Sequence, residues 1–368
     1  MKPWFIWRCL LLLVIVLLVA GLSGCVSLSY YGQSIAGQWE LWQKRQPIDD
    51  LLASAETPAP LRKKLQMVLA MRDFASTELA LPDNDSYRSY ADLQRPYVVW
   101  NVFAAPRFGM DLKRWCFPFA GCVGYRGYFA RQDARAFARR LAAQGLETYV
   151  GGVAAYSTLG WFDDPLLNTV LKRSPVRVAG LIFHELAHQQ LYVEGDTAFN
   201  EGFATTVQLE GVRRWLAKHG DERQRHDYVQ FQQRQKAFVD LVTDTRDRLR
   251  ALYARPLSAA EKRLRKQALQ AALREQYQRL KQQWGGYDGY DAWFAGPLNN
   301  AQLAALTTYR DQVPAFQRLL AEQGGDLAAF YRACAALGAL PMAQRQQALA
   351  ETVEPRAVSP AAPSAASG

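Results

Sequence analysis

The residues with the clearest chemical promise are His184-Glu185-Leu186-Ala187-His188. Two histidines four apart stack on one face of a helix, where both rings can share a single metal ion. Zinc accepts neutral imidazoles and, when chemistry is required of it, keeps one coordination position open. Glu185 stands on the same turn, close enough to reach a water at that position without crowding the ligands. A water there is acidified towards neutral pH, and Glu185 is the base for its attack on a carbonyl. The chain holds only four histidines, and the other two, His219 and His226, fall in a polar helical region. Gly180-Leu181-Ile182-Phe183 leads into the motif, so the helix is expected to be buried, and paired buried histidines need a partner.

Two acids compete to be the third ligand. Glu194 lies six residues after His188, while Glu201 sits in Asn200-Glu201-Gly202-Phe203-Ala204-Thr205. Gly195-Asp196 reads as a break between two helices. If the chain reverses between Glu194 and Gly195, His188 and Glu201 are equally far from the turn. In an antiparallel pair rising about 1.5 Å per residue their side chains then sit level. That symmetry favours Glu201, with Asp196 or Thr197 capping the second helix.

The Asn200-Glu201-Gly202-Phe203-Ala204 stretch resembles the second-helix ligand motif of gluzincin peptidases and is close to that of the aminopeptidase N group, although the gap from His188 is shorter here. Glu194 would match the metzincin position, but the glycine that arrangement uses is replaced by Leu191. The chain as a whole is similar to a bacterial family of predicted zinc aminopeptidases that are lipoproteins. The likeness rests on the segments 116–122, 125–129 and 155–162, the extended metal motif, and Pro297-Leu298-Asn299-Asn300. The resemblance implies an α+β fold, a helix-rich gluzincin-like metallopeptidase core with a small sheet. It implies zinc on His184, His188 and Glu201, a peptide substrate and aminopeptidase action. Tyr156 and Asn200 are the expected substrate contacts. Tyr309 is taken as the oxyanion donor over Tyr287 and Tyr290, and Thr148–Ser157 as an edge strand for the substrate backbone or an ordinary sheet strand. Asp163, Asp164 and Glu194 are the acids available to anchor a free amino terminus. Other readings are an envelope endopeptidase or quality-control protease, and a non-catalytic scaffold stabilised by zinc, which has no need of Glu185.

Other elements must position these groups. Helices are predicted around residues 38–42, over Leu61–Thr77, Gln132–Gln144 and Ser174–Val193, and onward from Thr197. Strands are predicted over Tyr97–Phe103, Tyr125–Phe129 and Thr148–Ser157. Residues 213–284 read as one long helical hairpin interrupted at Arg255-Pro256, and 301–337 as helix. The Ala-, Ser- and Pro-rich end, residues 351–368, reads as a disordered tail, leaving 25–350 as a single metallopeptidase domain.

The first 24 residues read as a signal peptide. Lys2 and Arg8 precede the apolar run Leu10–Ala20, which is short for a span and gives way to Leu22-Ser23-Gly24-Cys25. That ending is a lipobox, making Cys25 the lipidation site and the lipid the link to the membrane; an uncleaved anchor is the rival reading. Val26 favours the inner leaflet of the outer membrane over the inner membrane. Export agrees with a disulfide between Cys116 and Cys122, and the competing zinc pair lacks a second Cys/His pair. The sequence carries 44 Lys and Arg against 34 Asp and Glu. Between 213 and 281 the count is 18 against 8, so the basic surplus is local to the helical region. It reads as solvated helix surface or contact with an anionic envelope surface. Nucleic acid is excluded as a partner by export and by the lack of any binding motif.

Overall fold

The computed structural model describes residues 30–117, 121–155, 158, 162–306 and 312–353. Within these the chain is helix-rich with small sheets, an α+β arrangement. It opens with α1 (residues 30–43), β1 (Arg45–Pro47), α2 (Ile48–Ala53), α3 (Ala59–Thr77) and β2 (Ser89–Ala91). A strand-rich stretch follows: β3 (Val99–Pro106), β4 (Trp115–Phe117), β5 (Gly121–Val123) and β6 (Arg126–Tyr128), then α4 (Arg131–Ala143), β7 (Leu146–Val153) and β8 (Leu166–Leu167). The rest is helical: α5 (Pro175–Gln190), α6 (Thr197–His219), α7 (Glu222–Ala254), α8 (Ala259–Gln283), α9 (Asp291–Phe294), α10 (Asn300–Leu306), α11 (Val313–Glu322), α12 (Leu327–Gly338) and α13 (Met342–Val353).

The central antiparallel sheet has the order β6-β3-β7, with Val102 opposite Val150 and Trp100 opposite Tyr128. Alternation along β3 separates its two faces. Trp100, Val102 and Ala104 turn to α4 and bury Phe137 and Leu141, while Phe103 stacks with Tyr149 on the other face. β7 forms one edge. A second sheet, β1-β2-β8, was not predicted; strands of two or three residues are too short to show alternation.

The largest core lies under α5 and α6. Ile182, Phe183 and Leu186 are fully buried among Met71 of α3, Phe203 of α6, Phe316 of α11 and Phe330 of α12. Each such side chain contributes about 1.5–3 kcal/mol. Close packing of the pair needs small residues. A Cβ on Gly211 would come within 2.7 Å of both Phe183 and Leu79.

Several boundaries differ from expectation. α5 stops at Gln190, and Leu191 is already extended, because the turn into α6 needs residues 191–196. The basic run is not one hairpin: its start belongs to α6, and Gly220 ends that helix. Asp221 and Gln224 then form a capping box that starts α7, and Ser258 with Glu261 does the same for α8. The hairpin itself is α7–α8, with its own core of Phe238, Val242, Leu273, Tyr277 and Phe294. The predicted helix 301–337 is divided among α10, α11 and α12, with Gly324 and Gly325 at positive φ in the last turn between them.

The Pro297–Asn300 stretch fastens the hairpin to the sheet. Asn300 donates to the carbonyls of Pro106, Arg107 and Gly109, accepts from Tyr253 of α7, and gives its own N–H to Glu147 of β7. Lys266 of α8 pairs with the same Glu147. The predicted signal peptide, Cys25 and the tail from 354 lie outside the described residues. Among the described residues no helix is long and apolar enough to cross a membrane.

Candidate metal centre

α5 begins at Pro175 after Ser174, as predicted, although the Ser174 side chain makes no capping bond. It carries His184 and His188 on the face turned to α6. The chain then reverses through 191–196, where Gly195 has φ +78, a conformation that favours glycine. Asp196 caps α6 by accepting from Phe199 N. Arg345 of α13 reaches Asp196 at 2.9 Å, and both side chains are almost fully buried. Asn200 completes the turn: its amide accepts from Val193 N and donates to Val193 O, both at 2.8 Å. With 2 % exposure and its amide committed to this loop, Asn200 shapes the reversal.

The reversal brings Glu201 level with the histidines. His184 Nε2 and His188 Nε2 are 3.2 Å apart, and Glu201 lies 3.4 Å from the first and 3.7 Å from the second. His184, His188 and Glu201 are the one group of three or more such side chains among the described residues placed to hold a metal ion. Glu194 is exposed in the loop and takes no part. A tetrahedral ion with bonds of about 2.0–2.1 Å needs ligand atoms roughly 3.3–3.4 Å apart, so the three residues fit such an ion. Both Nδ1 atoms are buried without a hydrogen-bond partner among the described residues.

The electrostatics are those of a tight polar cluster. Burial disfavours the charged form of His184, but the hydrogen bond it donates to Glu201 and the charges of Glu185 and Glu201 outweigh it and raise its pKa. His188 moves the other way, to about 4, through burial and then the charge of His184, with Glu201 opposing. Burial pushes Glu201 up, yet the hydrogen bond it accepts from His184 and both histidine charges bring it below the usual carboxylate value.

Glu185 is partly buried and, with His184, lines a cleft of about 200 Å³ bounded by α5, α6 and α7. Its charge reaches Tyr87, which is buried and sits at φ +64. Three features escaped the sequence reading: Tyr87, the Arg345 contact, and Arg173 in the cleft. Each acts on the site, or on the turn beside it, from a distant stretch of chain or an irregular loop, where no periodicity marks it.

Of the other predicted site residues, Tyr156 and Tyr309 lie outside the described residues. Tyr287 and Tyr290 pack with Trp284 in the hairpin's aromatic cluster. Asp164 is buried and accepts from Thr158 N, while Asp163 presents its carbonyl to Arg45. Cys116 and Cys122 face each other across β4 and β5 and are joined as a disulfide, and Cys334 is a buried free thiol.

The helix pair brings two histidines and a glutamate together where they could hold a metal ion, with a further acid beside them in a cleft. A family model described as "Putative aminopeptidase" matches residues 29–349, most of the chain. The chain belongs to that family, and with it to the peptidases. No curated protein and no solved structure matches it.

Proposed function

We propose that this protein is a zinc-dependent aminopeptidase with a gluzincin-like centre, in which His184, His188 and Glu201 hold the metal and Glu185 is the general base. The observation that carries the reading is the spacing of the three ligand atoms, 3.2, 3.4 and 3.7 Å, with Glu185 one residue from a ligand in the adjoining cleft. A zinc ion bound there supplies a Lewis acid that polarises a carbonyl and makes water acidic near neutral pH. The Glu185 carboxylate takes the proton of the attacking water and returns it to the leaving nitrogen. Burial of the α5–α6 pair holds the rings and Glu201 in place before substrate arrives, so little reorganisation is needed. The family description supports peptide hydrolysis, and Glu185 counts against a purely structural metal, which needs no base.

The test separates binding from chemistry. Glu185→Gln should retain about one zinc per chain while losing at least ~10²-fold in kcat on an aminoacyl-peptide substrate. Near-full activity in that variant, with metal still bound, would sink the mechanism.

We further propose that the chain is lipidated at Cys25 and held on the periplasmic face of the envelope, in the inner leaflet of the outer membrane. Support comes from the lipobox and from α1, whose described part begins five residues later. That helix leaves Ile35, Trp39 and Trp42 exposed at 71 %, 55 % and 39 %, with Phe162 packed on Trp42. Tryptophans next to a lipid site are suited to the headgroup region of a bilayer.

A further inference from the structure

The cleft beside Glu185 is cationic. Arg173 and Arg177 line it together with His184, Glu185 and Gln208, and Glu185 is its single lining acid. Arg173 is partly buried, yet its side chain has no hydrogen bond and no ion pair among the described residues. Several other partly buried arginines find acceptors, whereas Arg126 lies over the Tyr30 ring with its Nε unpartnered among the described residues. Arg72 donates to the carbonyls of Pro82, Asn84 and Ser86; Arg345 reaches Asp196, and Arg95 reaches Glu40. Arg177 is held over the Phe231 ring of α7 at 4.9 Å, and its guanidinium has no hydrogen bond or ion pair among the described residues. A partly buried guanidinium without a protein acceptor keeps its fork available to water or to a bound ligand. Arg173 and Glu185 line the same cleft, and the charge of Glu185 acts on Arg173 without an ion pair between them.

Building on the zinc peptidase reading, we propose that Arg173, with Arg177 beside it, receives a carboxylate of the bound peptide. The planar fork of arginine matches a carboxylate through two parallel hydrogen bonds, which a carbonyl or an amine cannot reproduce. A peptide offers that group at its C-terminus or on an Asp or Glu side chain. The cleft, about 200 Å³, is smaller than the ~300–1,000 Å³ of ordinary small-molecule sites, so it takes a residue or two beyond the scissile bond. With the C-terminal carboxylate in that fork the substrate class is short peptides, whose free carboxyl end falls within reach of the metal centre; with a side-chain carboxylate it is acidic peptides. An aminopeptidase that grips the far end of its substrate in this way is selective for di- and tripeptides over long chains.

The experiment compares three tripeptides on the zinc-loaded full chain: Ala-Ala-Ala, Ala-Ala-Ala-amide and Ala-Ala-Glu-amide. The free acid should exceed the neutral amide by at least ~10-fold in kcat/KM, mainly through KM, as expected for a charge-assisted bond. Recovery of that advantage by Ala-Ala-Glu-amide would assign the carboxylate to a side chain, and its absence to the C-terminus. Arg173→Gln should bring the ratio of acid to amide to within about 2-fold, and Arg173→Lys should restore part of it. The ratio is the readout, so a general loss of fold or metal does not imitate the effect. Chelator-sensitive hydrolysis with equal rates on all three peptides, or a ratio unchanged in Arg173→Gln, overturns the carboxylate site and leaves the peptidase reading standing. Absence of chelator-sensitive hydrolysis on every peptide overturns both.

Discussion

The Asp196–Arg345 pair is the best place to disturb the site without touching it. Arg345 donates to Asp196 Oδ2 at 2.9 Å and to the carbonyls of Gly338 and Leu340 at 2.8 and 3.1 Å, and its guanidinium lies over Phe199. Both ion-pair side chains are 5 % exposed or less. Arg345→Met keeps the apolar length but strands a buried carboxylate and two carbonyls. Breaking a buried pair in this way costs about 3–5 kcal/mol. Neutralising both partners removes the stranded charge, so Asp196→Asn with Arg345→Met should recover most of that loss. The remainder is about 1–2 kcal/mol, because Asn is still an N-cap but the two carbonyls stay bare. Urea unfolding of the metal-free chain measures both values. Asp196 caps the helix that carries Glu201 five residues on, so the single variant should also bind zinc less tightly. Arg345→Met within about 1 kcal/mol of the parent would refute the reasoning. So would a double variant as unstable as the single one, since it would show that the charge contributes nothing.

Two other outcomes follow from the same geometry. Glu201→Ala should lose zinc and activity together by metal analysis and assay, whereas Glu194→Ala should keep its metal; the opposite result would move the third ligand to the loop. In the mature Cys25→Ser chain, residual binding to anionic lipid vesicles should fall by roughly ten-fold when Trp39 and Trp42 are both changed to Ala. Binding that is unaffected would remove the exposed α1 face from the membrane contact.

Local spacing was enough to mark His184, Glu185 and His188, because four residues make one helical turn wherever the helix sits. That Glu201 and not Glu194 comes beside the histidines was also legible, since a reversal at Gly195 sets residues equidistant from it side by side. The strands β3 and β7 and the helices α3 and α4 could be read from residue types and breaking residues, and α8 only as the second arm of a hairpin after Pro256. The sheet β1-β2-β8 could not, because strands so short are defined by their partners and not by their own pattern. The same reason hid the break at Gly220, where a polar run looks helical on both sides of the stop. Asn200 looked like a substrate contact by position, and only the folded turn shows its amide bound to Val193. Arg345 meets Asp196 across 149 residues, and Arg173 joins Glu185 in a cleft walled by α7. A ligand spacing is a property of one helix, and sequence determines it. Whether a charge is paired, buried or left facing a cleft depends on what the rest of the chain brings to it, and tertiary structure alone decides that.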